Sequence, residues 1–218
     1  MGAVIGDILP LALGVAISPI PIIAAILMLF SAKAGGTGGG FLVGWILGII
    51  IATGLFTVLA GSLGTTGEPS TRASWTKIVL GLLLLLVAVR QWRGRDGQHS
   101  TPGWMAAIDT ITPVKALGLG FLLAAVNPKN LLMAVAAGVA IGSAGLAVGG
   151  EVLAIAVFTV IAASTVAVPV IAYLLATDRM QAPLTSLKAW LQGNNTVVMS
   201  VLLLVLGVVL IGKGIGGL

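Results

Sequence analysis

The chain of 218 residues contains no cysteine, and only 8% of its residues are charged. Without cysteine it forms no disulfide, carries no thiol redox chemistry and binds no metal through thiolates, which excludes the membrane thiol–disulfide carriers. Soluble domains have roughly 25% charged residues, whereas 58% of this chain is hydrophobic and its mean hydropathy is +1.17. The composition therefore predicts a polytopic membrane protein with no separate soluble domain.

The net charge of +5 comes from 11 lysines and arginines against six acidic residues. Most of the basic residues lie in predicted loops, where they orient a membrane protein and contact anionic headgroups, so we expect no nucleic-acid partner. The only histidine, His99, lies alone in a polar loop, and the chain has no nucleophile–base pair, paired carboxylates or nucleotide motif. We therefore expect no enzyme activity, no metal site and no cofactor.

The hydrophobic runs predict an all-α protein with six transmembrane spans. They cover roughly residues 5–30, 39–61, 76–91, 112–140, 151–176 and 195–213. Between them we expect glycine-rich loops at 34–40 and 142–150 and polar connections at 61–74, 90–112 and 176–195. The first run is too long for a signal peptide and lacks a basic start, so it is predicted to be a span.

Basic residues are unevenly distributed between the two sides of the predicted membrane protein. Seven lie on the side of the first, third and fifth loops and three on the other side, with Lys129 inside a span. The seven are Lys33, Arg90, Arg93, Arg95, Lys115, Arg179 and Lys188, and the three are Arg72, Lys77 and Lys213. The excess predicts that the first set is cytoplasmic and that both termini face away from the cytoplasm of a cell inner membrane.

The fourth span is interrupted by Asn127-Pro128-Lys129-Asn130. Proline removes a helix donor and frees carbonyls, and amides and an ammonium in hydrocarbon need partners. Broken helices at mid-membrane are tolerated where they are buried or line a cavity, so this segment is the predicted transport site. Simple proline kinks remain an alternative, as does a Lys129 that extends from a re-entrant segment to the surface.

A similar interruption lies in the first span, where Ser18 precedes Pro19 and Pro21. Each half of the chain thus begins with a span broken at a polar residue followed by proline. Three spans per half would make the halves inverted repeats, with a midplane site between them. We predict one membrane domain over 1–218, formed by a repeat at 1–91, a cytoplasmic loop at 92–111 and a repeat at 112–218.

Few other charged residues lie near the spans. Asp7, Asp109 and Lys115 are candidates for gating or for the membrane interface, although Asp7 is equally explained as a cap of the first span. Residues 102–109 and 183–191 are predicted to form short amphipathic helices at the membrane surface, the second with Lys188 opposite its apolar face. Anchoring and gating both remain open for these two segments. Gly44, Gly48, Gly118 and Gly120 are predicted to allow close helix packing.

The chain resembles the GAP family of actinobacterial peptidoglycolipid- and sulfolipid-addressing proteins, within the LysE transporter superfamily. The segments that carry the resemblance are 102–109 (PGWMAAID), 112–121 (TPVKALGLGF), 125–131 (AVNPKNL), 5–14 (IGDILPLALG) and 18–23 (SPIPII). The first three are its specific part, because the Asn-Pro-Lys element occurs more widely in the superfamily.

The resemblance implies a six-helix protein of the inner membrane that assists export of cell-envelope lipids. The matching candidates for substrate binding are Ser18, Pro19, Pro21, Asn127, Pro128, Lys129 and Asn130. A LysE-type exporter of amino acids or ions is an alternative, and so is an accessory subunit that transports nothing alone. The expected partners are membrane lipids, a lipid-export complex or a second copy of the chain.

Overall fold

The computed structural model describes residues 1–31, 33–62, 71–94 and 111–218, without the side chains of residues 72 and 73, and in that part of the chain every regular element is an α-helix. The helices are α1 (Gly2–Ala16), α2 (Pro19–Leu29), α3 (Ala34–Ser62), α4 (Thr71–Arg93), α5 (Pro113–Ala125), α6 (Pro128–Gly142), α7 (Val148–Leu175) and α8 (Thr177–Ile215). The predicted all-α class is confirmed. The predicted surface helix at 102–109 lies outside the described residues.

Four helices, α3, α4, α7 and α8, are each long and apolar enough to cross a membrane. The other four form two bent pairs, α1 with α2 at 50° and α5 with α6 at 62°, which bring the candidate spans to six if each pair is one span. A bend below 90° leaves the second helix advancing in the same general direction, as a broken span requires. The outward faces carry large apolar side chains, such as those of Leu86, Val160 and Val208, which suit contact with lipid tails.

Both breaks occur where a polar residue precedes a proline. Ser18 has φ −106° and ψ 104°, and Asn127 has φ −58° and ψ 122°, so both leave the helical region. A proline disfavours the α conformation of the residue before it, while its own fixed φ suits the first position of a new helix. The predicted interruptions are therefore confirmed as helix breaks. We refer to residues 17–18 as the first break and to residues 126–127 as the second break.

Glycines on α3 bring this helix close to α5. A side chain at Gly40 or Gly44 would overlap the backbone of Pro113 or Leu117, and one at Gly120 would overlap the backbone of α3. Small residues allow such close approach in membranes. Gly118 faces open space, so its predicted packing role is wrong.

The predicted flexible loop at 34–40 is also wrong, because this segment forms the first two turns of α3. Gly36 and Gly40 approach Pro113 there. The glycines in this segment thus serve the packing of two helices rather than the freedom of a loop.

The contacts of α1 establish the directions of its neighbours. Gly150, near the start of α7, lies against Met1, and Thr165, further along α7, donates a hydrogen bond to the carbonyl of Ala16. The two helices therefore run parallel. A connection of only five residues, 143–147, joins α6 to α7 and makes this pair antiparallel. It follows that α1 and α6, which are in contact, run antiparallel.

The last helix, α8, is longer than predicted. Residues 176–195 were expected to form a connection with a short helix starting at Pro183, but helix α8 runs without interruption from Thr177 to Ile215, with Pro183 inside it. A proline six residues after the start of a helix removes only one backbone hydrogen bond. Leu184 and Leu191 are buried, and this packing keeps the first part of α8 helical.

The predicted position of Lys188 opposite the apolar face is wrong as well. The Lys188 Nζ lies 5.7 Å from the ring centroid of Phe30 at the end of α2, on the same face as the buried Leu184 and Leu191, which are one turn away on either side. The aliphatic part of a lysine side chain packs well on apolar surfaces, and its ammonium is attracted to an aromatic ring.

Candidate functional site

At the second break, the side chains of two asparagines replace lost backbone hydrogen bonds. The Asn127 Oδ1 accepts a hydrogen bond from the Lys129 backbone N at 3.1 Å and so caps α6. In a continuous helix the Asn127 N–H would donate to Leu123, but it donates to Leu122 at 3.2 Å. The freed Leu123 carbonyl accepts instead from the Asn130 Nδ2 at 2.8 Å. This break is thus stabilised by side chains adjacent to it in sequence.

Lys129 and Asn130 carry polar atoms that these contacts leave unpaired. The Lys129 side chain is buried, with 5% exposure, and its Nζ has no hydrogen-bond partner; the Asn130 Oδ1 has none either, with Asn130 1% exposed. Within the described ranges no carboxylate lies within ion-pair distance of Lys129. An unpaired buried ammonium is costly. The arrangement does not fit a lysine that extends to the membrane surface, and it is suited to binding an anion.

The first break carries no charge and makes no cap. Ser18 is buried, as are Pro19 and Pro21, and the Ser18 side chain makes no capping hydrogen bond to α2. The Ala16 carbonyl at the end of α1 accepts from the Thr165 Oγ1 at 2.6 Å. Since Thr165 belongs to α7, this break is stabilised by the other half of the chain.

The two breaks lie at a similar depth. Gly14 on α1 packs against Met133 on α6. From this contact, Ser18 lies one turn further along α1, and Lys129 lies one turn back along α6. Because the two helices run antiparallel, both steps lead in the same direction. This supports the prediction that the two interruptions meet inside the bundle. The two breaks differ in exposure, since Pro19 is buried and Pro128 is exposed.

The structure brings neither Asp7 nor Lys115 to the breaks. Asp7 lies 11 residues before Ser18, about 16 Å away along a helix, and the predicted capping role of Asp7 is wrong because α1 begins at Gly2. Lys115 is exposed at the start of α5, where its backbone N–H donates to the Thr112 Oγ1 at 3.3 Å. Asp109 lies outside the described residues.

Asp7 instead forms ion pairs with two other helices. The Lys213 Nζ of α8 lies 2.7 Å from the Asp7 Oδ1, and the Lys77 Nζ of α4 lies 3.7 Å from the Oδ2. The Lys213 Nζ also donates to the Gly6 carbonyl at 3.0 Å. Pro10, four residues after Gly6, has no N–H to offer that carbonyl, which leaves it free for Lys213. We refer to Asp7, Lys77 and Lys213 as the ion-pair cluster.

Sequence reasoning missed the hydroxyl groups of the spans. Thr165 stabilises the first break, and three further buried hydroxyls, those of Thr53, Thr159 and Ser200, have no hydrogen-bond partner. The available signal was a hydroxyl residue inside an apolar run. Such residues commonly bond to their own helix, as Thr57 does with Thr53 at 2.9 Å, so the sequence alone does not single out the unpaired ones.

Two apolar grooves flank α8. The larger, of about 540 Å³, lies between α1 and α8 and is lined by Pro10, Leu13, Gly14, Ile17, Val197, Val198, Val201, Leu202, Val205 and Leu206. We call it the α1/α8 groove. Gly14 and Leu206 approach each other at its wall, and Gly14 also touches Met133, one turn from Lys129. Met133 thus connects the wall of the apolar groove to the turn of α6 that carries Lys129.

The second groove, of about 340 Å³, lies between α4 and α8 and is lined by Ala88, Val89, Trp92, Arg93, Ser200, Val201 and Leu204. It shares Val201 with the α1/α8 groove. In the part of the chain that the structure describes, no group of three acidic or histidine side chains is arranged to hold a metal.

Comparison with known families identifies a family that the chain matches. The model of the family described as Sap, sulfolipid-1-addressing protein, matches residues 8–216. No curated protein and no solved structure matches the chain. Since the match covers nearly the whole chain, this protein belongs to the sulfolipid-1-addressing protein family. The resemblance to sulfolipid-addressing proteins is thereby confirmed, whereas the wider LysE relationship stays a prediction.

Proposed function

We propose that this member of the sulfolipid-1-addressing protein family assists the export of an anionic glycolipid across the inner membrane, and binds the lipid at the second break. The unpaired, buried ammonium of Lys129 carries the proposal, together with an apolar groove whose wall residue Gly14 packs against Met133, one turn from Lys129. A lipid with an acidic group and acyl chains needs both features at once. A soluble amino acid or an ion would use the Lys129 end and leave the groove without a role.

The unpaired atoms of the site have opposite hydrogen-bonding characters. The Lys129 Nζ donates and carries a positive charge, which suits a sulfate, phosphate or carboxylate oxygen. The Asn130 Oδ1 accepts, and the Asn130 amide nitrogen is already committed to Leu123, so the oxygen is held ready for a hydroxyl donor such as that of a sugar. A glycolipid headgroup with an acidic group supplies both partners.

We further propose that the site lies at the membrane midplane between two inverted repeats of three spans each. The helix contacts support this arrangement. If α1 to α4 of the first half correspond to α5 to α8 of the second, packed pairs of helices have corresponding packed pairs. The pair α1 and α7 corresponds to α5 and α3, and the pair α2 and α8 corresponds to α6 and α4. Contacts that respect such an exchange are expected for a twofold axis in the membrane plane.

The orientation of the chain is part of the same proposal. The excess of basic residues on the side of Lys33 and Lys188 supports a cytoplasmic position for that side and extracytoplasmic termini. Alkaline phosphatase fused after Leu218 is expected to be active, and the same enzyme fused after Arg95 inactive. The reverse pattern would refute the orientation and leave the binding site unaffected.

Replacing Lys129 tests the proposed binding site. A hydrogen bond from a charged group contributes about 1.5–3 kcal/mol, so Lys129→Ala is expected to reduce export by roughly 10- to 100-fold. The protein should remain inserted, because alanine removes a costly buried charge. Lys129→Arg is expected to keep part of the activity, since it retains the charge with a different donor geometry.

The measurement is the surface display of the lipid in a deletion strain complemented with each variant, normalised to protein level by immunoblotting. The matched control is Ile20→Ala, which alters the position that follows Pro19 as Lys129 follows Pro128. Export at the wild-type level by a well-expressed Lys129→Ala variant would refute the charge-based site.

Reconstitution distinguishes transport by this chain from an accessory role. Purified protein in vesicles should move a labelled anionic glycolipid between leaflets, and Lys129→Ala should stop it. Binding of the lipid without movement would assign this chain to a larger export complex, with the binding site intact.

A further inference from the structure

We propose that the ion-pair cluster and the α1/α8 groove together form a second lipid site, which takes an acidic membrane lipid with its headgroup at the cluster and one acyl chain in the groove. This inference goes beyond the proposed function, because its headgroup site is the ion-pair cluster and not Lys129, although the α1/α8 groove is common to both. The charges, the depth of the cluster and the shape of the groove carry it.

The cluster has an excess positive charge. Two ammonium groups share the single carboxylate of Asp7. Lys213 is held by two acceptors, Asp7 and the Gly6 carbonyl. Lys77 is only 3.7 Å from Asp7 and makes no hydrogen bond to any residue that the structure describes. Among the described residues Asp7 is its only partner, and the Lys77 side chain, 23% exposed, is accessible to an anionic headgroup.

The cluster lies at the depth of lipid headgroups. Trp75, two residues before Lys77 on α4, is 54% exposed, and exposed tryptophans of membrane proteins concentrate at the interface. The α1/α8 groove begins at Pro10, about one helical turn further into the membrane than Asp7. A headgroup at the cluster thus places its acyl chain at the Pro10 end of the groove.

The groove has the shape and chemistry for an acyl chain. Its walls are apolar side chains of α1 and α8, and its volume of about 540 Å³ is in the range of small-molecule sites, roughly 300–1,000 Å³. On α1 it extends from Pro10 to Ile17, a length of about 10 Å. It ends at the first break, where the chain bends by 50° into α2. Inside a membrane, the apolar groups available to fill such a groove are lipid tails.

Retention of lipid by the purified protein tests this site. The probes are phosphatidylglycerol and phosphatidylcholine with identical acyl chains, quantified on detergent-purified protein by native mass spectrometry. The wild-type protein is expected to retain phosphatidylglycerol in preference. Lys77→Gln should lower this retention roughly tenfold or more, because it removes a charged donor, and Lys77→Arg should preserve it.

The decisive variant is Asp7→Asn. It removes the competing carboxylate and leaves both ammonium groups, so phosphatidylglycerol retention should rise several-fold. If the ion pairs only hold three helices together, Asp7→Asn and Lys77→Gln should both lower retention. That result would overturn the proposal, as would equal retention of the two lipids by the wild-type protein.

Two neighbouring residues on α8 test the groove separately. Val205 lines the α1/α8 groove and Leu204 lines the other groove, and each is 51% exposed. Val205→Trp should abolish phosphatidylglycerol retention and Leu204→Trp should not. Glycerol phosphate, the headgroup without chains, should fail to displace the lipid. Displacement by it, or equal loss in both tryptophan variants, would refute the acyl-chain site.

Lys129→Ala separates this site from the proposed function and should leave phosphatidylglycerol retention at the cluster unchanged. Loss of export with retention preserved supports two separate headgroup sites that share the groove. Loss of retention in Lys129→Ala would overturn the second site while agreeing with the proposed function.

Discussion

The two helix breaks have similar backbones and different side-chain chemistry. Each places a polar residue before a proline near the middle of a span, with bends of 50° and 62°. The first break is uncharged, and its Ala16 carbonyl is bound by Thr165 of α7. The second break is stabilised by its own asparagines and leaves the Lys129 ammonium unpaired.

From this difference we propose distinct roles for the two breaks. A hydrogen bond between the halves stabilises the first break, and we propose a structural role for it. The second break needs no residue from the other half for its hydrogen bonds, and so its remaining polar atoms are available to a ligand. A broken helix in a membrane is thus not by itself a binding site. The unpaired side chains beside the break decide its role.

The largest effect on stability is expected where α3 packs against α5, the helix that leads to the second break. Gly44→Leu would force a side chain into the backbone of α5 at Leu117, a clash expected to cost more than about 4 kcal/mol and to remove folded protein from the membrane. Gly118→Leu is the control, because that glycine faces open space. The measurement is the amount of each variant in membranes by immunoblotting. Equal amounts would show that α5 does not need this contact.

An intermediate effect on stability is expected at the two carbonyls next to the breaks that accept side-chain hydrogen bonds, those of Leu123 and Ala16. Asn130→Leu and Thr165→Val each remove one donor to a carbonyl and should lower stability by about 1–3 kcal/mol, seen as lower melting temperatures in detergent. Their effects on export should differ. Per folded molecule, Asn130→Leu is expected to lose about tenfold or more, and Thr165→Val to stay near wild type. A similar loss of export in both would remove the functional distinction between the breaks.

The smallest effect on stability is expected from replacing the prolines that follow the two breaks. Pro19 is buried and Pro128 is exposed, while the N–H that alanine would restore has no partner at the first position of a helix. Pro19→Ala should therefore cost about 1–2 kcal/mol through lost packing, and Pro128→Ala less than about 0.5 kcal/mol. Thermal melting of the purified variants measures both. A larger loss for Pro128→Ala would show that its ring, and not its position, defines the second break.

The sequence was sufficient to predict the breaks, and it predicted six spans, which the structure matches if each bent pair is one span. Proline and a polar neighbour act locally on the backbone, and this is why the breaks were predictable. It also singled out Lys129 and Asn130, since an ammonium and an amide in an apolar run need partners. Contacts between distant segments could not be predicted in this way. Neither the bond from Thr165 to Ala16 nor the pairing of Lys213 with Asp7 has a local signature, because more than 140 residues separate the partners.

The helical start of α3 and the continuity of α8 were missed for a related reason. Glycine and proline weaken helices in isolation, and tertiary packing decides whether they do so in a folded chain. At Gly40 the absence of a side chain admits Pro113, and after Pro183 the buried Leu184 and Leu191 hold the helix. A residue that disfavours a helix locally is here required by the neighbouring helix.

The length of α8 has a mechanical consequence. Its 39 residues correspond to about 58 Å of helix, roughly twice the thickness of the hydrocarbon core. Gly207 packs closely on α4, and the part of α8 from there to Pro183 is about 36 Å long. A tilt of about 5° around that contact displaces the far end by about 3 Å. Small movements beside the grooves are thereby amplified at the end of α8 that meets Phe30, which makes this end the place to look for motion coupled to lipid binding.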